Sequence, residues 1–178
     1  MYRGILKFWF EEIDPSQWWK KDEELDRMMI ERFSGIHYSA TRCELFEWRK
    51  NAAGRLAEII VLDQFSRNMF RGSPLSFAND ALALALSQEA ISAGADRLLI
   101  QVERSFLYMP FMHSESLKIH EVATELFLRN GIQGNLDFEM KHKAIIQRFG
   151  RYPHRNSILG RESTEEEVEF LKQPGSGF

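Results

Sequence analysis

The sequence lacks the cysteines and the long apolar segments that disulfide-bonded, zinc-binding and membrane-spanning proteins require. It contains a single cysteine, Cys43, so neither an intramolecular disulfide nor a multi-cysteine zinc site can form within one chain. No segment approaches the roughly 20 apolar residues that span a bilayer. The apolar start at 1–10 is short and is followed by acidic residues instead of a signal-peptide cleavage site. These absences predict a protein of the reducing cytoplasm with no membrane partner.

A large excess of charge of one sign is also absent. The 23 basic and 26 acidic residues leave a formal net charge of −3, which provides no overall field to attract nucleic acid, so we expect no nucleic-acid partner. The chain has no phosphate-binding Gly-rich loop, dinucleotide fingerprint or G-x-S-x-G motif, and its histidines match no zinc signature. We therefore expect no cofactor and no metal.

Strand signals are nearly absent, whereas apolar residues recur at helical spacing along most of the chain. This pattern predicts one all-α domain over 1–172, built from seven or eight helices in a helical array. The Gly- and Pro-containing segment 173–178 is predicted to be a flexible tail.

Several helix starts are indicated by residues that can cap backbone N–H groups. A helix is predicted to begin near 39–41 and to include Trp48. Ser76 is the predicted N-cap of a helix over 77–93. Ser163 and Glu166 have the spacing of a capping box for the last helix.

The first candidate site lies in the segment 62–71. Asp63 and Arg67 are four residues apart, so they share a helix face at the end of an apolar stripe. Such a pair either forms a buried ion pair that fixes helix packing or orients Arg67 toward a ligand. Asn68 and Arg71 follow directly and are candidate ligand-binding residues with them.

The second candidate site lies in the segment 147–156. From Lys141 to Arg161 the chain has six basic residues and no acidic residue. Guanidinium groups on a Gly/Pro turn suit a phosphate or carboxylate, but the glutamates that follow at 162–169 could instead neutralise them. The candidate ligand-binding residues here are Arg148, Arg151, Arg155 and Asn156, and His154 is a candidate general base.

A third candidate site follows the aromatic run 106–111. His113 and Glu115 stand at a predicted helix start, and helix N-termini attract anions. His113 either caps this helix or acts as a general base, and Glu115 is a candidate ligand-binding residue.

Motifs across nearly the whole chain resemble one family. They are Phe8-Trp9-Phe10, Leu62-Asp63-Gln64-Phe65 with Arg67-Asn68 and Phe70-Arg71-Gly72, Pro110-Phe111 with His113-Ser114-Glu115, Arg148-Phe149-Gly150-Arg151 with Pro153-His154-Arg155-Asn156, Leu159-Gly160-Arg161, and Ser163-Thr164-Glu165-Glu166. This order resembles the bacterial domain-of-unknown-function family nine-two-four. The resemblance implies an all-helical fold similar to tetratricopeptide repeats. Three positions depart from the family pattern: Ser66 replaces a usual Pro, Met112 a common Glu, and Tyr152 a usual Phe.

Three functions fit these residues. The leading hypothesis is a binding module in which Arg67, Arg148 and Arg151 converge on one cleft and bind a small anionic ligand or a peptide carboxylate. The alternative is a hydrolase-type enzyme with His113 or His154 as general base. In the third interpretation the polar motifs form a buried charge network, and the protein acts through an interaction surface.

Overall fold

A computed structural model describes residues 1–177, and this part of the chain is all-α without strands. The α-helices are α1 (Tyr2–Lys7), α2 (Glu23–Thr41), α3 (Ala52–Ile60), α4 (Ser66–Met69), α5 (Asp80–Ser92), α6 (Gln101–Met112), α7 (Leu117–Asn130), α8 (Gln133–Phe149) and α9 (Glu165–Leu171). Short 3-10 turns lie at Pro15–Trp19, Phe46–Lys50, Pro74–Ser76, Ala95–Leu98 and Pro153–Arg155.

Two of the helices are widened by π-helical turns. α1 continues into a π turn at Phe8–Glu12, and α3 continues through a π turn at Val61–Phe65 into α4. Because α3 and α4 are one continuous rod, the nine α-helical segments of residues 1–177 make eight helices. This confirms the predicted all-α fold, while the tetratricopeptide-like superhelix stays a prediction.

The α3 rod is the centre of the core. Its residues Leu56, Ile59, Ile60 and Leu62 are fully buried, because α1, α2, α5 and α6 all pack around it. A helix enclosed by four others buries most of its surface, polar positions included. Asp63 and Glu58 on this rod are accordingly buried and bond to other protein groups.

A second, smaller core holds the C-terminal part of the fold. Ile145, Ile146 and Tyr152 are buried in it, with Phe149 and Phe170 packed against them. The segment after α8 is thereby fixed beside the end of α6. Within the described residues no helix combines the length and hydropathy needed to cross a membrane.

Two predicted helix starts are wrong. The helix expected from 39–41 does not form: α2 runs on to Thr41, and Cys43 takes a left-handed backbone angle (φ 58°) in an exposed turn. The helix expected after Ser76 begins later, at Asp80. Ser76 does not cap it, because its hydroxyl donates a hydrogen bond to the Phe70 carbonyl.

The capping box of the last helix is real but shifted by one residue. Thr164 and Glu167, and not Ser163 and Glu166, satisfy each other's backbone N–H groups. Ser163 and Thr164 are both suitable caps, and Glu166 and Glu167 are both suitable partners, so spacing alone does not separate the two registers. The flexibility expected for 173–178 stays a prediction: Gly177 lies against His154, and residue 178 is outside the described part of the chain.

Candidate functional site

A buried carboxylate on the π turn of the α3 rod is the centre of the candidate site. Asp63 is fully buried, and its Oδ1 lies 2.7 Å from His113 Nδ1 and 3.1 Å from Arg67 Nη1. Its Oδ2 accepts a hydrogen bond of 2.6 Å from Gln64 Nε2. π turns inside α-helices occur frequently at functional sites. The carboxylate thus joins its own helix to the end of α6, where His113 stands.

The charges around Asp63 fix its ionisation and the tautomer of His113. Burial opposes ionisation, but Arg67 and His113 outweigh it and hold the pKa of Asp63 far below its usual range. An ionised carboxylate only accepts hydrogen bonds, so His113 Nδ1 must donate. Burial, and then Arg67, lower the pKa of His113. At neutral pH His113 is therefore uncharged, with its proton on Nδ1.

The other ring nitrogen of His113 is differently placed. The side chain keeps 15% of its surface exposed, and Nε2 makes no hydrogen bond within residues 1–177 and is not a buried atom. The expected capping role is wrong, because His113 is the residue that ends α6 and its ring bonds to Asp63. Nε2 is thus an accessible lone pair on a fixed imidazole.

A second carboxylate holds the arginines next to this imidazole. Asp80 binds Arg67 through two hydrogen bonds of 2.9 and 3.0 Å and Arg155 through one of 3.1 Å. The Phe77 ring covers both guanidinium groups, whose carbons lie 5.8 and 4.5 Å from its centroid. Sequence reasoning missed Asp80 because its partners are 13 and 75 residues away.

The remaining residues of the first segment form a separate ion pair. Asn68 and Arg71 both bind Asp26 on α2, at 2.8 Å and at 2.7 and 3.0 Å. They fix α4 to α2 and do not reach Asp63. Asp63 and Arg67 themselves form an ion pair of 3.1 Å within the α3 rod.

Two of the three candidate arginines of the second segment, Arg148 and Arg151, bind the last helix. Arg148 pairs with Glu166 at 2.8 Å, and Arg151 pairs with Glu167 at 2.6 and 2.7 Å. The prediction that Arg67, Arg148 and Arg151 converge on one cleft is therefore wrong. The glutamates that follow at 162–169 neutralise these two arginines instead.

Other predicted residues lie between these two regions. Glu115 binds Arg161 at 2.7 and 2.9 Å and accepts the Tyr152 backbone N–H at 2.8 Å. Asn156 is fully buried and donates to the Ser163 hydroxyl. The His154 ring lies 5.6 Å from the Tyr152 ring, and burial lowers the pKa of His154 to about 4.

One buried ionisable pair could not be predicted from the sequence. His120 Nδ1 lies 2.8 Å from Glu139 Oε1, and both side chains are fully buried. They stand on α7 and α8, 19 residues apart, a spacing that no motif specifies. No group of three or more His, Cys, Asp or Glu side chains in residues 1–177 is arranged to hold a metal ion.

The model of the family described as "Bacterial protein of unknown function (DUF924)" matches residues 5–175. The chain belongs to this family. The DUF924 match includes Asp63, His113, Asp80 and Arg155, so the whole candidate site lies inside the family domain.

A solved structure supports the same assignment. The chain is 38% identical to a protein of unknown function from Agrobacterium tumefaciens, ATU0120, over 96% of both chains, with a TM-score of 0.91. The DUF924 chain described here therefore shares its fold over nearly the full length. No curated protein matches the chain.

Proposed function

We propose that this protein is an acid–base enzyme of the hydrolase type, in which His113 is the general base. One observation carries the proposal: Asp63 Oδ1 lies 2.7 Å from His113 Nδ1, while His113 Nε2 is accessible and unbonded within residues 1–177. A carboxylate that fixes the tautomer of a histidine is the arrangement that enzymes use to activate a nucleophile.

The chemistry follows from the protonation state. A lowered pKa keeps the imidazole uncharged near pH 7, so Nε2 can accept a proton. In the proposed step Nε2 takes a proton from water while the water oxygen attacks an acyl or phosphoryl centre. The imidazolium that forms is stabilised by Asp63 and returns the proton to the leaving group. Arg67 is already neutralised by Asp63 and Asp80, so the proposal assigns it no contact with a developing oxyanion.

His113 is preferred to His154 as the base because an ionised carboxylate fixes its tautomer. Enzymatic use of His154 is not required by the proposal, so His154→Gln is expected to keep most of the turnover.

Anion binding is the second candidate function. It is favoured by the fork of Arg67 and Arg155, which already binds a carboxylate, that of Asp80. A ligand carboxylate or phosphate would have to displace Asp80. Adding phosphate or acetate should then raise the melting temperature of the Asp80→Asn variant more than it raises that of the wild type. Equal melting shifts in both proteins count against this candidate.

The general-base proposal is tested with chromogenic substrates. A panel of p-nitrophenyl carboxylic esters and p-nitrophenyl phosphate is assayed with the wild type, His113→Gln and Asp63→Asn. Loss of a general base lowers kcat by about 100-fold or more. The matched control is His37→Gln, because His37 is also buried and, within residues 1–177, its side chain hydrogen-bonds only to the Ser66 hydroxyl.

The proposal expects turnover of at least one substrate by the wild type and by His37→Gln, with a large loss in the other two variants. Turnover that survives in His113→Gln contradicts it, and so does a wild-type protein that hydrolyses nothing in the panel.

A further inference from the structure

The backbone that carries His113 is held in an unusual way. The last carbonyls of a helix lack partners within the helix. At the end of α6, three consecutive carbonyls accept hydrogen bonds from side chains. Tyr152 Oη donates to the Met112 carbonyl at 2.5 Å, Arg155 Nη2 to the His113 carbonyl at 3.0 Å, and His120 Nε2 to the Ser114 carbonyl at 2.8 Å.

The third of these bonds comes from a fully buried histidine. A carbonyl oxygen only accepts, so His120 Nε2 must carry a proton. The other nitrogen, Nδ1, lies 2.8 Å from Glu139 Oε1, which fixes the rotation of the ring. Glu139 on α8 thus orients His120 on α7, and His120 in turn holds the segment between α6 and α7.

The two carboxylate–imidazole pairs of this region differ in what Nε2 does. In the Asp63–His113 pair, Nε2 is accessible. In the Glu139–His120 pair, Nε2 is buried and bonds to the carbonyl next to His113. The second pair has no contact with solvent, so it cannot act on a substrate directly. Any effect of this pair on a reaction must therefore come through the position of His113.

We infer that His120, oriented by Glu139, is a positioning residue for His113. The inference rests on the proposed function, because it assigns a reason for holding His113 in place. His120 keeps the Ser114 carbonyl fixed, so the His113 ring stays against Asp63 with Nε2 toward the surface. A displacement of about 1 Å at a reacting group can lower a rate about 100-fold, which is large enough to require such a support.

The ionisable groups around both histidines are known. His113 faces Asp63, Arg67 and Asp80, its carbonyl binds Arg155, and His142 and His154 lie near enough to interact with its charge. His120 faces Glu139 and Tyr152, and the nearby groups His142 and Lys143 lie on α8. Burial raises the pKa of Glu139 and lowers the pKa of His142 to about 3, so His142 adds no charge near His113 at neutral pH.

Two substitutions of His120 separate positioning from general stability. In His120→Gln the amide nitrogen reaches about the place of Nε2 and can still donate to the Ser114 carbonyl. In His120→Asn it reaches about the place of Nδ1, so the bond to Ser114 is lost while a contact with Glu139 remains. Both variants are polar, and both remove the imidazole.

The readout is the pH midpoint at which His113 reacts with diethyl pyrocarbonate, measured residue by residue by mass spectrometry. In His120→Asn the freed His113 ring is expected to leave its buried place, and its midpoint rises toward the value of about 6.5 for an exposed imidazole. His120→Gln and Glu139→Gln, whose amide can donate to His120 Nδ1, are expected to keep the wild-type midpoint. With a substrate from the panel, kcat of His120→Asn is expected to fall about 10- to 100-fold.

Equal midpoints in His120→Asn and the wild type overturn the inference, and so do equal shifts in the Asn and Gln variants. A second measurement needs no variant: imidazole 1H–15N correlation of the wild type must show a proton on His120 Nε2, and a proton on Nδ1 alone overturns the inference. Failure of the proposed function is seen separately, because labelling of His113 is measured whether or not a substrate turns over.

Discussion

Replacing Asp63 by Asn is expected to destabilise the protein strongly. The change keeps the size of the side chain but removes the charge that His113 and Arg67 face at 2.7 and 3.1 Å. Breaking a buried ion pair costs about 3–5 kcal/mol. Arg67 keeps a second carboxylate, Asp80, so the lower end of about 3 kcal/mol applies.

Urea denaturation followed by far-UV circular dichroism measures this loss. With a slope of about 2 kcal/mol per molar urea, a loss of about 3 kcal/mol lowers the midpoint by about 1.5 M. The control is Glu169→Gln, whose pair with Lys172 is exposed and should leave the midpoint unchanged. A loss below about 1 kcal/mol in Asp63→Asn would refute the view that this carboxylate is ionised and buried in the folded protein.

The pH dependence of stability tests the same charge on Asp63. The pKa of Asp63 is depressed in the folded state, so its contribution is fully present above the unfolded value of 3.8 and is lost as pH falls toward the folded value. In the His113→Gln background, where position 113 cannot titrate, the loss of stability caused by Asp63→Asn should therefore be constant from pH 5 to 7, within about 0.5 kcal/mol, and shrink below pH 3.8.

Three further predictions concern other parts of the fold. Arg148→Ala should cost less than about 1 kcal/mol in urea denaturation, because Arg148 and its partner Glu166 are 48% and 63% exposed; a loss above about 2 kcal/mol contradicts this. Glu139→Gln should gain stability relative to the wild type as pH rises above 4.5, by up to about 1.4 kcal/mol per pH unit. The reason is that the folded wild type keeps a carboxyl proton on Glu139 that the unfolded chain has released. A stability difference that does not change between pH 5 and 7 contradicts a raised pKa of Glu139. Gly54→Ala should lower the melting temperature, because a Cβ at this position would lie 2.1 Å from the Trp48 carbonyl oxygen. Overpacking of this kind costs about 1–3 kcal/mol. An unchanged melting temperature contradicts the close approach of Gly54 to Trp48.

Local patterns in the sequence predict the helices and one part of the site. Asp63 and Arg67 share a helix face because of their spacing, and their contact needs nothing beyond that helix. The excess of glutamates after Arg161 indicated that Arg148 and Arg151 could be neutralised, and the structure has those pairs. Such contacts are predictable because both partners lie on one element or on adjacent ones.

The centre of the site could not be predicted, because its contacts join distant parts of the chain. His113 is 50 residues from Asp63, and Arg155 is 75 residues from Asp80. These separations are set by how α3, α5 and α6 pack, and no local spacing records them. The π turn that places Asp63 could not be predicted either, because the apolar pattern on either side of it indicates one regular α-helix.

The protonation state of His113 at pH 7 tests its assignment as a general base most directly. Imidazole 1H–15N correlation spectra distinguish a proton on Nδ1 from one on Nε2. We expect an uncharged ring with its proton on Nδ1, donated to Asp63, and no proton on Nε2. A proton on Nε2, in the uncharged ring or in a fully protonated imidazolium, would contradict the assignment of His113 as a general base.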